Sequence, residues 1–243
     1  MPLMKIFIAT PANGGLTYAR YTQSIFSLEK ALTSAGHQTT FAVMVGSAEI
    51  ASARNELVQY FLDSDCDALL FIDADQAFNA IHVREMIESG KHFIGAVIPQ
   101  KVIDWEKVRL AAIAGVPATE LSKAAGIFNT NFLTGKVDIV HGKPLAVRHV
   151  GTGLIYLSRV VFEKLSPHCQ VVNLRTKEAK TTRTEYFTNI VTEDNERLSE
   201  DYSFCHKWRE IGGKVYAAPW VEVSHIGSFE FNGQLRESMK KIT

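Results

Sequence analysis

The sequence predicts an α/β fold with a mostly parallel central sheet flanked by helices. Three observations predict it. Short apolar runs alternate with helically patterned segments through the first half, and such alternation makes successive strands parallel. The run Ala68-Leu69-Leu70-Phe71-Ile72 is continuously apolar, as a strand buried on both faces requires. The length, 243 residues, suits one large α/β domain or two intimately packed halves, with a sizeable core.

In order along the chain, Met4–Ala9 reads as a strand ended by the loop Thr10-Pro11-Ala12-Asn13-Gly14-Gly15. Tyr18–Ala35 carries Tyr21, Ile25, Leu28, Leu32 and Ala35 at helical spacing, with Gly36 where a helix ends. Thr40–Val45 is a second strand. Ala51–Asp63 is helical through Leu57, Val58, Phe61 and Leu62. After the buried strand 68–72, Ile81–Ser89 reads as a helix and Phe93–Ile98 as a strand. Residues 104–126 read as two short helices split by Gly115-Val116-Pro117. Leu145–Val150 is a strand ended by Gly151-Thr152-Gly153, and Ser158 caps a helix running to Leu165. Arg175–Arg183, rich in Lys, Arg and Thr, reads as an exposed, mobile loop. Ser199–Ile211 is a helix with Phe204, Cys205, Trp208 and Ile211 on one face, ended by Gly212-Gly213. Val215–Ala218 and Val221–Val223 are short strand candidates, and the segment after Phe231 is a polar, basic tail.

Composition narrows the function classes. Lys+Arg and Asp+Glu balance at 26 each, so no global charge favours nucleic acid or a membrane surface as partner. No run approaches the roughly 20 apolar residues of a membrane span. Three cysteines, Cys66, Cys169 and Cys205, are too few for a disulfide framework and lack metal-ligand spacing. They favour a reducing, cytoplasmic compartment.

The sharpest motif is Asp73-Ala74-Asp75, two carboxylates leaving the buried strand. In α/β sheets ligands bind beyond the carboxyl ends of strands. Neighbouring carboxylates repel, and a hard divalent cation that also reaches phosphate oxygens resolves the repulsion. The plainer alternative has Asp73 capping the next helix and Asp75 solvated. Arg54 could reach a phosphate or a base, or be an ordinary surface arginine. Gly151-Thr152-Gly153 permits close approach of a ligand, or is a plain tight turn. Glu200 and Asp201 either favour their helix dipole or place one carboxylate in the cleft as a general base. His225 is structural unless it is a third metal ligand.

Together, Ser52-Ala53-Arg54-Asn55, Phe71-Ile72-Asp73-Ala74-Asp75, Gly151-Thr152-Gly153, Glu200-Asp201-Tyr202 and His225-Ile226-Gly227 resemble, in order and spacing, the GT-A glycosyltransferases. The resemblance is to their large inverting group. It implies a Rossmann-like sandwich, with a nucleotide-sugar-binding half over 1–100, an acceptor-binding half over 101–230, and the polar tail over 231–243. It also implies Mn²⁺ or Mg²⁺ held by Asp75 and His225 with Asp73, or Asp73 on the ribose instead. Thr10 and Pro11 would line the base, Arg54 would contact the nucleotide, and Gly151, Thr152 and Gly153 would border sugar and acceptor. Asp201 resembles the catalytic base, with Glu200 placing a substrate. The partners implied are a nucleotide-sugar donor and a glycan or other hydroxyl acceptor. Many relatives carry an acid at the end of the second strand; Val43-Met44-Val45-Gly46-Ser47 has none, so the nucleotide rests on UDP being the commoner choice, with GDP behind it.

Three rivals stand beside this reading. A haloacid-dehalogenase-like phosphohydrolase would use Asp73 as nucleophile, but Ala77 stands where that family carries Thr or Val, and its motif sits on the first strand. A nucleotidyltransferase would need basic residues that Pro11–Leu16 lacks. A carbohydrate-binding module has no use for two acids, a Glu-Asp helix and a histidine in one cleft.

Overall fold

The computed structural model describes residues 3–128, 130–133, 138–175 and 180–229. The first half runs β1 (Lys5–Ala12), α1 (Ala19–Ser34), β2 (Gln38–Val45), α2 (Ile50–Asp63), β3 (Ala68–Ile72), β4 (Gln76–Phe78), α3 (Ala80–Ile87) and β5 (Phe93–Ala96). It continues through α4 (Trp105–Ile113), a 3₁₀ turn, α5 (Leu121–Ala124), β6 (Thr130–Phe132), β7 (Leu145–Val150), β8 (Leu154–Ser158) and α6 (Arg159–Leu165). Last come β9 (Gln170–Arg175), β10 (Lys180–Glu185), β11 (Ile190–Val191), β12 (Arg197–Leu198), α7 (Glu200–Glu210), β13 (Val215–Ala218) and β14 (Val223–His225).

One eight-stranded sheet spans both halves in the order β2-β1-β3-β8-β5-β13-β7-β6. β8 and β7 run against the other six strands, so the sheet is mostly parallel in direction. Every residue of β3 is buried, as its unbroken apolar run demands. Alternation along the strands feeds two cores. Phe7, Leu69 and Phe71 pack with Phe61, Phe162 and Phe204 of α2, α6 and α7. Ile6, Ile8, Leu70 and Ile72 pack with Leu28, Leu32, Val83 and Met86 of α1 and α3. Helices therefore cover both faces. Among the described residues no helix is long and apolar enough to cross a membrane.

Four expectations change. Thr10, Pro11 and Ala12, read as loop, continue β1, because β2 pairs with it as far as Val45. Leu154–Ser158, for which the sequence predicted only the cap at its end, is an antiparallel strand wedged between β3 and β5. The segment read as a loop over 175–183 contributes to the antiparallel hairpin β9–β10. Its β-branched residues, Val171, Val172, Thr181 and Thr182, favour extended backbone despite the polar composition. The last strand is shifted to Val223–His225 because it pairs with β4, an element the sequence did not announce. The tail over 231–243 lies outside the described residues.

Candidate functional site

β1 has β2 on one side and β3 on the other, both parallel to it. Its carboxyl end is thus a topological switch point, where an α/β sheet opens a crevice. A cleft of about 380 Å³ lies there. It is lined by Pro11 near the end of β1 and Asn13 just after it, Met44 near the end of β2 and Ser47 just after it, Tyr18, and the segment Asp73-Ala74-Asp75. Backbone bonds draw its rims together: Gly46 N–H donates to Asn13 (3.0 Å) and Tyr18 N–H to Ala74 (3.3 Å).

Asp75 meets a residue from the far end of the chain. The β4–β14 ladder sets Gln76 opposite His225, and Ile226 N–H donates to the Asp75 carbonyl at 2.8 Å. This places His225 Nε2 3.4 Å from Asp75 Oδ2. His225 Nδ1 lies 2.8 Å from the Pro99 carbonyl, which can only accept, so Nδ1 carries a proton. Such an outer hydrogen bond is how metal-binding histidines are oriented. Lys101 Nζ also contacts Asp75 Oδ2, at 2.6 Å. Burial pushes the Asp75 carboxyl up, but His225 and Lys101 outweigh it and hold it down at about 2. The bond to Asp75 raises His225 against the opposing effect of its own burial.

Asp73 has a different partner. Arg54, 2% exposed, sends Nη2 to within 3.1 Å of Asp73 Oδ1, while its Nε lies 4.0 Å from Asp201 Oδ1. Burial raises the Asp73 carboxyl; Asp201 and Asp75 add to the rise and Arg54 opposes it. Asp201, in the first turn of α7, accepts from the Thr152 N–H (3.2 Å) and from the Thr152 hydroxyl. Gly153 accepts from Asp73 N–H at 2.8 Å. A Cβ on Gly153 would lie 2.9 Å from Asp73 Oδ2, so a larger residue here would push on that carboxylate. Burial, then the neighbouring Asp201, raise Glu200.

The structure thus sets Asp73 and Asp75 on the crevice and links His225 to Asp75, and Arg54, Gly153 and, through Arg54, Asp201 with its neighbour Glu200 to Asp73. It distributes them differently from expectation. Pro11 lines the cleft, but Thr10 is fully buried beneath it, bonded to the Tyr21 hydroxyl at 2.5 Å. Arg54 is no surface arginine: it lies under the acids and joins two of them. Gly151, Thr152 and Gly153 are buried; Thr152 bonds Asp201 and Gly153 bonds Asp73. Among the described residues no cluster of three His, Cys, Asp or Glu has metal-holding geometry, and Asp73 is engaged by Arg54. Asp75 with His225 remains a fitting carboxylate–imidazole donor pair for a divalent cation whose other positions go to phosphate and water. Lys101 is the functional-site residue the sequence did not disclose; a lysine in a loop carries no signal of its own.

No protein-family model matches the chain, and no curated protein sequence matches it. Solved structures do. A197 from STIV aligns with a TM-score of 0.50 at 14% identity, covering 93% of this chain and 87% of that one. GalNAc-T7, solved with UDP, GalNAc and Mn²⁺, aligns with a TM-score of 0.51 at 12% identity, covering 94% of this chain. The match spans 45% of that longer protein. The likeness shows the fold: a GT-A type, Rossmann-like α/β sandwich.

Proposed function

We propose that the chain is a glycosyltransferase, moving a sugar from a nucleoside-diphosphate sugar to a hydroxyl of a glycan or other acceptor with inversion. UDP is the favoured nucleotide and Mn²⁺ or Mg²⁺ the cofactor. Residues 1–100 form the nucleotide half and 101–230 the acceptor half, where a cavity of about 740 Å³ runs from His225 beneath Val102 and Phe128. The observation that carries the reading is the Asp75–His225 pair at the rim of a nucleoside-sized cleft, with the histidine oriented by Pro99. The shared fold of GalNAc-T7, a protein solved with UDP and Mn²⁺, supports it.

Asp75 and His225 would hold the cation, which when bound supplies Lewis-acid neutralisation of the departing diphosphate. Pro11, Asn13 and Met44 flank the base, and Asp73 faces the ribose end of the cleft while Arg54 fixes its carboxylate from below. Asp201 Oδ takes the proton of the acceptor hydroxyl as that oxygen attacks the anomeric carbon; the Thr152 N–H and hydroxyl hold the carboxylate in orientation. Glu200 beside it places a substrate hydroxyl. The phosphohydrolase alternative is disfavoured because Ala77 stands where that family carries Thr or Val and the acids follow β3, the third strand, rather than the first.

Calorimetric titration of UDP and GDP, with and without Mn²⁺, tests the reading. Mn²⁺-dependent binding of one nucleotide, abolished by Asp75→Ala, is the expected result. No binding of either under any condition refutes it.

A further inference from the structure

Lys101 closes the acid pair. Its ammonium sits 2.6 Å from Asp75 Oδ2, the same oxygen that faces His225 Nε2 at 3.4 Å. A divalent ion coordinates carboxylate oxygen at about 2.0–2.6 Å. Placed between Asp75 and His225, it would bring two positive centres together on one oxygen. The ammonium must then leave, because like charges at that distance repel strongly outside bulk water. The side chain is built to do so. It is 43% exposed and rides on a flexible four-carbon stem. The stem rests against Gly227, where a Cβ would stand 2.8 Å from Lys101 Cδ; the glycine leaves the lysine its path beside β14.

Two of the other acids are already engaged. Asp73 already carries Arg54, and Asp201 accepts twice from Thr152. Of the two cationic side chains paired with Asp73 and Asp75, Arg54 is buried and fixed, and Lys101 is the exposed one. The anion that arrives with the cation is the diphosphate itself.

We propose that Lys101 is a diphosphate-binding residue, whose ammonium passes from Asp75 to the phosphates of the donor when a divalent cation takes Asp75. The inference rests on the glycosyltransferase reading above and adds a second role. Lys101 competes with the cation before the donor arrives and joins it in neutralising the leaving group afterwards.

The two roles have opposite signs in one variant. Lys101→Met keeps the stem against Gly227 and removes the charge. Three titrations into the intact protein are needed: MnCl₂ alone, then whichever of UDP or GDP the wild type binds at saturating Mn²⁺, then the matching nucleoside. Lys101→Met should bind Mn²⁺ about tenfold more tightly and the nucleoside diphosphate about tenfold more weakly, the scale of one charge-assisted contact. Nucleoside affinity should not change, and Lys101→Arg should restore the diphosphate affinity. Any other pattern in a protein whose wild type binds overturns the inference. Unchanged diphosphate affinity would make Lys101 a mere counter-ion, and joint weakening of metal and nucleotide would make it structural. If the wild type itself shows no Mn²⁺-dependent nucleotide binding, the glycosyltransferase reading fails first and takes this inference with it.

Discussion

Arg54→Met removes the guanidinium that stands under two carboxylates. Breaking a buried ion pair from one side costs about 3–5 kcal/mol, because the surviving charge loses its partner. Two features of this site reduce the figure. Asp73 and Asp201 keep 27% and 24% of their side-chain surface, so water takes up part of the lost interaction. Nε and Nη1 of Arg54 are buried without a hydrogen-bond partner, and methionine removes the cost of keeping them dry. A net loss of about 2–3 kcal/mol remains. For a chain of this size that is a fall in Tm of about 4–12 °C. Calorimetric melting at neutral pH without added metal measures it. The sign with pH follows from the acids left behind. Burial already raises the Asp73 carboxyl and Arg54 opposes that rise, so without Arg54 it rises further; the added penalty is full above the carboxylate range and shrinks as pH falls through it. A variant melting within about 1 °C of wild type at neutral pH, where about 2 kcal/mol is expected, would refute the view that Arg54 holds the acids together.

Three further outcomes are expected. Gly153→Ala drives a methyl group to 2.9 Å from Asp73 Oδ2 and 3.1 Å from Ile98 Cδ1, and overpacking of this kind costs about 1–3 kcal/mol. Both the melting temperature and nucleotide affinity should fall, and a variant with both unchanged would contradict the packing described. Buried His149, stacked on Tyr202 at 4.7 Å, has its pKa lowered from 6.5 to about 4, first by burial and then by Arg209 and Arg148. The unfolded chain therefore binds the extra proton between those values, and stability should drop as pH falls from 6.5 towards 4. His149→Phe should flatten that part of a Tm–pH profile, and an unchanged slope would assign it elsewhere. Asp201→Asn should leave Mn²⁺-dependent nucleotide binding near normal and remove most sugar transfer; near-normal turnover would move the base to another residue.

Much of the architecture was legible in residue patterns. β3 follows directly from five consecutive apolar residues, and α1, α2 and α7 from their periodicity. β8 was not, because Leu154-Ile155-Tyr156-Leu157 is too short for period to separate strand from the start of the following helix. Its insertion between β3 and β5 is a tertiary choice. The acids were legible as motifs, but their partners were not. Nothing local distinguishes a buried Arg54 from an exposed one, since its burial depends on what α7 and the Thr152 turn place above it. Nor does spacing reveal that Asn55 bonds both the N–H (2.8 Å) and the carbonyl (2.9 Å) of Phe187.

The short ladder between β4 and β14 joins positions about 150 residues apart, and closing so long a loop is opposed by chain entropy that local contacts must first offset. The cleft beyond β1 is lined by residues from Pro11 to Asp75. His225 is added among the last described residues and reaches Asp75 only through that ladder. The Asp75–His225 contact is therefore the product of the whole chain's folding rather than of either neighbourhood alone: a change that loosens β14 separates the pair without touching either residue.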